Sequence, residues 1–217
     1  MPAFFEQLWM ARYSLLQGFI NTIEASAAAI VFGTMIGLIV GVLITYGPRL
    51  VQFLCRVYID LMRGTPVLVL VLATFYVPAV FGLRLGSFWA GILALTLFCG
   101  SHVAEIARGA LQAIPRGQAE AAKAIGLTFP QVLAYVLVPQ ALRSMLPTWI
   151  NTCVELVKAS TLLSVIGVAE LLLNTQQIIA RNFMTLPFYL FAGLIYLLVN
   201  FVIEQLGRAA ERRVSFR

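Results

Sequence analysis

Few residues in this chain could do chemistry, and they fall into three groups. Thr148, Asn151, Glu155 and Lys158 are spaced three, four and three residues apart within an apolar stretch, so a helix would carry them on one face. An acid and a base in mid-membrane cost several kcal/mol if they face lipid. The face is therefore expected to look inward, as a polar pathway or as a buried Glu155–Lys158 pair. His102, Glu105 and Arg108 form a second stripe at the end of another apolar segment. It reads either as an ion pair at the membrane edge or as a charge lining the mouth of a cytoplasmic gate. The third group is GQAEAAKAIG, from Gly117 to Gly126, in which Glu120 precedes Lys123 by three residues and places opposite charges on one side of a short helix. Ala119 to Ile125 are mostly strong helix formers, and Gly126 can end the helix in a left-handed conformation. The pattern predicts a rigid helix clipped by glycine at both ends, then a second helix stopping before Pro139.

Several reaction classes lack the residues they need. Ser101 and His102 are adjacent, so on a helix they point about 100° apart, and no nucleophile-elbow sequence is present. Neither Lys123 nor Lys158 follows a glycine, so there is no phosphate-binding loop and any ATP hydrolysis has to come from a partner. Cys55, Cys99 and Cys153 lie in or beside apolar runs without CxxC spacing, which reads as apolar filling and predicts neither a disulfide nor a metal site.

The elements that position these groups must cross a bilayer. The 217 residues are 61% hydrophobic and 11% charged, with mean hydropathy +0.92, too apolar for the surface of a soluble domain. We expect an all-α membrane protein of one domain spanning residues 1–217. Residues 1–18, with Phe5, Leu8, Trp9 and Arg12 at helical spacing, read as an interfacial helix. No cleavable signal is expected, because the Ala-Ser-Ala run at Ala25 to Ala27 opens the apolar segment instead of closing it. Five spans follow, at about 25–44, 67–81, 88–107, 146–171 and 186–203. Ala25, Ala29, Gly33, Gly37 and Gly41 recur every fourth residue of the first span, a seam for close helix approach. Thr65 is expected to cap a helix starting at Pro66, and the second span is short enough either to begin near Phe53 with a kink at Pro66 or to flank a cavity. Asn174 to Thr185 reads as a polar loop, and Arg208 to Arg217 as a basic tail.

Charge sets the orientation. Five spans place the termini on opposite sides. With the N-terminus outside, eleven basic residues (Arg49, Arg56, Arg63, Arg108, Arg116, Lys123, Arg143, Arg208, Arg212, Arg213, Arg217) lie inside against three outside (Arg12, Arg84, Arg181), with Lys158 in a span. The positive-inside rule then gives N-out, C-in, and puts the Glu120 helix in the cytoplasm. This distribution also accounts for the net charge of +6 without nucleic acid.

Glu120-Ala121-Ala122, Gly126 six residues after the Glu, and Val136, Val138 and Pro139 resemble the EAA loop of ABC importer permeases. Arg63-Gly64-Thr65-Pro66, Glu105 with Arg108-Gly109, Gly117-Gln118, Pro139-Gln140-Ala141-Leu142-Arg143 and Lys158 resemble the polar amino-acid branch of that family, MetI-like in fold. Val136 and Val138 replace the usual Ile and Leu, and Cys99-Gly100-Ser101-His102 stands where many relatives carry small residues and Tyr. The resemblance implies that residues 116–139 are a coupling loop, with Gly117, Glu120, Ala121, Ala122, Lys123, Gly126 and Pro139 as its coupling residues. It implies two ATP-binding subunits carrying ATP and Mg, a second permease copy or paralogue, an extracytoplasmic solute-binding protein and a bacterial inner membrane. No cofactor is expected on this chain. Glu105, Thr148, Asn151, Glu155 and Lys158 are the expected substrate pathway. A channel or ion-coupled secondary transporter working without an ATPase is the alternative.

Overall fold

A computed structural model describes residues 2–214, all of the regular structure in it helical. The helices are α1 (Pro2–Tyr46), α2 (Arg49–Gly64), α3 (Val67–Val80), α4 (Ser87–Ala113), α5 (Arg116–Ala124), α6 (Phe129–Val132), α7 (Val138–Ala159), α8 (Leu171–Asn182) and α9 (Thr185–Val214). A π turn (Leu133–Leu137) joins α6 to α7, and a 3₁₀ turn (Ser160–Ile166) extends α7. By length and composition four helical stretches could cross a membrane: Phe4–Tyr46, Ser87–Ala113, Phe129–Ile166 and Thr185–Arg212. They become five if α2 and α3, bent by 109° at Thr65–Pro66, make one crossing.

The expected interfacial helix over 1–18 and span over 25–44 are one uninterrupted helix. At 1.5 Å per residue its 45 residues measure about 68 Å, roughly twice a hydrocarbon core. Its N-terminal half is held by protein: Leu15 is buried with Leu171, Ile178 and Phe188, and Phe4 and Leu8 pack on the same cluster. The glycine seam closes on α4. A Cβ on Gly33 would sit 2.5 Å from Cys99 Cβ, one on Gly37 2.5 Å from Val103 Cβ, and one on Gly41 2.6 Å from Ala107 Cβ. Both series of residue numbers rise together, so α1 and α4 run parallel, and the chain between them has to return. Its return is α2 and α3.

The helix expected at 67–81 is preceded by a separate helix from Arg49, and the chain breaks between them where Pro66 cannot donate to the preceding turn. Thr65 does not cap α3; Pro66 takes the N-cap position, with no side-chain hydrogen bond. The stretch expected as a polar loop after Asn174 is helix α8. Its first turn is capped by Glu170, whose carboxylate accepts from Leu172 N at 2.8 Å and Leu173 N at 2.7 Å. The basic tail continues α9 as far as Arg212, whereas the side chain of Arg213 and the whole of Arg217 lie outside the described residues. Leu95, Val103, Leu156 and Leu163 form the buried centre between α4, α7 and the 3₁₀ turn, with Ala25 and Ala29 of α1 against them.

Candidate coupling surface and polar pathway

Helix α5 follows an extended Pro115, whose carbonyl accepts from Gln118 N at 3.0 Å. Gly117 is inside the first turn, so proline and not glycine clips this end. The other end behaves as the sequence predicts. Gly126 has φ +89°, Leu127 N donates to Ala122 O at 3.2 Å and Gly126 N to Lys123 O at 2.9 Å, the paired bonds of a Schellman turn. Leu127 packs with buried Ala122 on Leu111, Val132, Leu137 and Ala141, which seats α5 on α4 and α7.

Ala119 and Ala122 face the protein, leaving Gly117, Ala121 and Ala124 exposed on the opposite side. A partner can therefore approach the α5 backbone with at most a methyl in between. Ile125, 79% exposed at the end of this surface, is a candidate contact that sequence reasoning did not single out. The signal was a large apolar residue next to a chain-reversing glycine. Glu120 and Lys123 do not pair with each other among the described residues; with Arg116 they flank a cavity of about 730 Å³ between α5 and the ends of α1 and α4.

The second helix does not end before Pro139. That residue lies in the first turn of α7, and the chain runs helically from Phe129 to Ile166. The π turn widens the ladder just ahead of it: Val138 N reaches back five residues to Leu133 O. Gln140 Nε2 donates to Val136 O at 2.8 Å. A proline at the start of an α-helix needs no N–H partner, so the helix accommodates it.

The structure keeps Thr148, Asn151, Glu155 and Lys158 on one face but points that face out of the chain. All four are exposed, and Ile150, Cys153, Leu156 and Val157 take the buried stripe. No Glu155–Lys158 ion pair forms among the described residues. The reason is competition for one helix: apolar side chains gain most from the chain's own core, so the polar stripe is left on the far side. In a bilayer it needs cover from other protein or water. Glu105 is remote from this face in sequence and is tied up locally. Arg108 Nε donates to Glu105 Oε2 at 3.0 Å, a second guanidinium nitrogen contacts Oε1, and Arg108 Nη1 donates to Gln112 Oε1 at 2.8 Å. His102 Nδ1 lies 3.1 Å from Phe98 O, with its ring against Phe98, so it turns back onto its own helix.

A polar centre that sequence reasoning missed sits at the other end of the bundle. Glu170 is fully buried. Besides capping α8 it accepts from Tyr196 Oη of α9 at 2.7 Å, while Leu171 N donates to Thr22 Oγ1 of α1 at 3.1 Å and Asn174 Nδ2 to Ser14 O at 2.7 Å. Burial pushes the Glu170 carboxyl above its ordinary range, against the pull of these donors. The local pattern offers Glu170 only the capping bonds to Leu172 and Leu173; the partner that ties it to α9, Tyr196, is 26 residues away in the chain.

The family pattern described as "Binding-protein-dependent transport system inner membrane component" matches residues 33–216. The glutamine transport system permease protein GlnP of Escherichia coli (strain K12) is 35% identical over 210 residues, covering 96% of both chains. The L-cystine transport system permease protein TcyB of Bacillus subtilis (strain 168) is 34% identical, with 91% of this chain and 85% of the relative covered. Among solved structures, an amino acid ABC transporter with histidines superposes with a TM-score of 0.86 at 31% identity, covering 95% of this chain and 97% of the other. The MetNI methionine ABC transporter in an inward-facing form shares the fold, with a TM-score of 0.80 at 23% identity over 94% and 97% of the two chains.

Proposed function

Because this chain belongs to the binding-protein-dependent transport system inner membrane components, we infer that it is the membrane-spanning permease subunit of an ATP-driven ABC importer for polar amino acids. The observation that carries the mechanism is α5: nine residues, clipped by Pro115 and Gly126, seated on the α4–α7 core and bare of bulky side chains on its outer face. A lever must be stiff and firmly attached or the driving motion is lost. Two ATP-binding subunits, which hold the ATP and Mg, engage the Gly117–Ala121–Ala124 face and Ile125. Closing on ATP, they draw paired α5 helices together and swing the bundles from inward-open to outward-open. An extracytoplasmic binding protein then releases its amino acid into the cavity between this chain and a second copy or paralogue.

Two features support the rest of this reading. The parallel run of α1 and α4 supports reading the α2–α3 pair as a fifth crossing, and together with the basic-residue distribution it supports an N-terminus outside and a C-terminus in the cytoplasm. The exposed Thr148–Asn151–Glu155–Lys158 stripe needs cover in lipid, and a second permease supplies it while leaving groups of both signs along the route of a zwitterion. The test is a cysteine at Ala121. With the ATP-binding subunits co-expressed, Ala121→Cys should crosslink to them, with a yield that changes on adding ATP. Absence of any nucleotide-binding subunit from the purified complex, together with gradient-driven uptake, would establish the ion-coupled alternative.

A further inference from the structure

We propose that the cavity behind α5 binds the head group of an anionic phospholipid, phosphatidylglycerol in particular, and so fixes the depth of the lever in the bilayer; the inference rests on the orientation proposed above. The cavity, about 730 Å³, has an apolar floor that includes Leu111, Val132 and Leu137, and a polar mouth formed by Arg116, Glu120 and Lys123. It opens where membrane-crossing helices end, beside Tyr46, the last residue of α1, and one residue beyond Ala113, the last of α4. That is the depth at which an acyl chain gives way to phosphate. Neither the Arg116 nor the Lys123 side chain has a hydrogen-bond or ion-pair partner among the described residues, so both are free to meet an anion.

Glu120 decides between head groups. Its carboxylate on the same flank halves the net positive charge, which disfavours a polyphosphate, and it offers an acceptor for hydroxyl groups. A phosphodiester beside a glycerol satisfies all three side chains: phosphate oxygens accept from Arg116 and Lys123, and a glycerol hydroxyl donates to Glu120.

The experiment needs no transport. The native cysteines are buried, so a bimane on Thr45→Cys, a residue lining the cavity, can be labelled in the intact complex in phosphatidylcholine vesicles. Doxyl-labelled phosphatidylglycerol should quench it with about fivefold the affinity of doxyl-labelled phosphatidylcholine, as expected for one net cation at a membrane surface. Arg116→Gln, which removes the net positive charge, should abolish the preference, and Arg116→Lys should retain it, with both variants eluting as assembled complexes. Equal quenching by the two lipids overturns the proposal, as does a preference that survives Arg116→Gln. Displacement of the quencher by millimolar glycerol 3-phosphate would assign the cavity to a soluble phosphate compound. Each result leaves the importer reading standing, because that reading is tested by crosslinking and uptake.

Discussion

Replacing Gly126 tests whether the lever must be clipped. Its φ of +89° is a conformation that L side chains rarely adopt, yet a Cβ built there meets nothing within 4 Å. Any penalty therefore comes from the backbone and not from a clash. Placing a Cβ in the left-handed region costs about 1–2 kcal/mol, less for Asn and more for a β-branched residue. Escape from that strain means giving up the Leu127 N–Ala122 O and Gly126 N–Lys123 O bonds, at about 1 kcal/mol each. We expect Gly126→Asn to stay close to wild type, Gly126→Ala to lose about 1 kcal/mol of the clipped form, and Gly126→Val to lose about 2 kcal/mol or more, roughly thirtyfold in its population. With ATP-binding subunits and binding protein in proteoliposomes, amino-acid uptake per ATP hydrolysed should fall in the order Asn, Ala, Val. Membrane insertion should be unchanged. Identical uptake for the Asn and Val variants would refute the reasoning, because they differ chiefly in tolerance of positive φ.

Three other perturbations address the framework and the pathway. Glu170→Ala strands two backbone donors and the Tyr196 hydroxyl, and should destabilise the detergent-solubilised protein by about 3 kcal/mol; Glu170→Gln, which keeps one acceptor oxygen of the same shape, should lose under half of that, both read by thermal unfolding. Gly37→Ala drives a methyl to 2.5 Å from Val103 Cβ and should be destabilising by about 1–3 kcal/mol, whereas Gly193→Ala, with nothing within 4 Å, should be neutral or slightly stabilising in the same assay. Glu155→Gln and Lys158→Met, on an exposed face with no ion pair between them, should change transport rate or selectivity while the complex still assembles; failure to assemble would show a structural role instead.

Some features were legible because they are local or periodic. Long apolar runs place the crossing helices, since the bilayer leaves backbone groups no other partner. The four-residue spacing of Gly33, Gly37 and Gly41 announced a close packing face, and the position of Gly126 announced a left-handed turn. The polar stripe of α7 was legible as a stripe but not in its direction, because hydrophobic burial ranks the faces of a helix only once its neighbours are present. The same holds for the π turn before Pro139 and for the loop that became α8.

Composition and periodicity alone determined that this chain lives in a membrane, that it is helical and where its long apolar segments lie. Those properties depend on each residue's exchange with lipid or water, and on neighbours within a turn or two. Tertiary structure alone decided that α1 lies parallel to α4, that α7 turns its charged stripe outward, and that Glu170 joins α8 to α9 beside the Thr22 tie to α1. Those outcomes come from packing and hydrogen bonds between segments far apart in the chain, such as Leu171 N–Thr22 Oγ1 and Tyr196 Oη–Glu170, which no local pattern encodes.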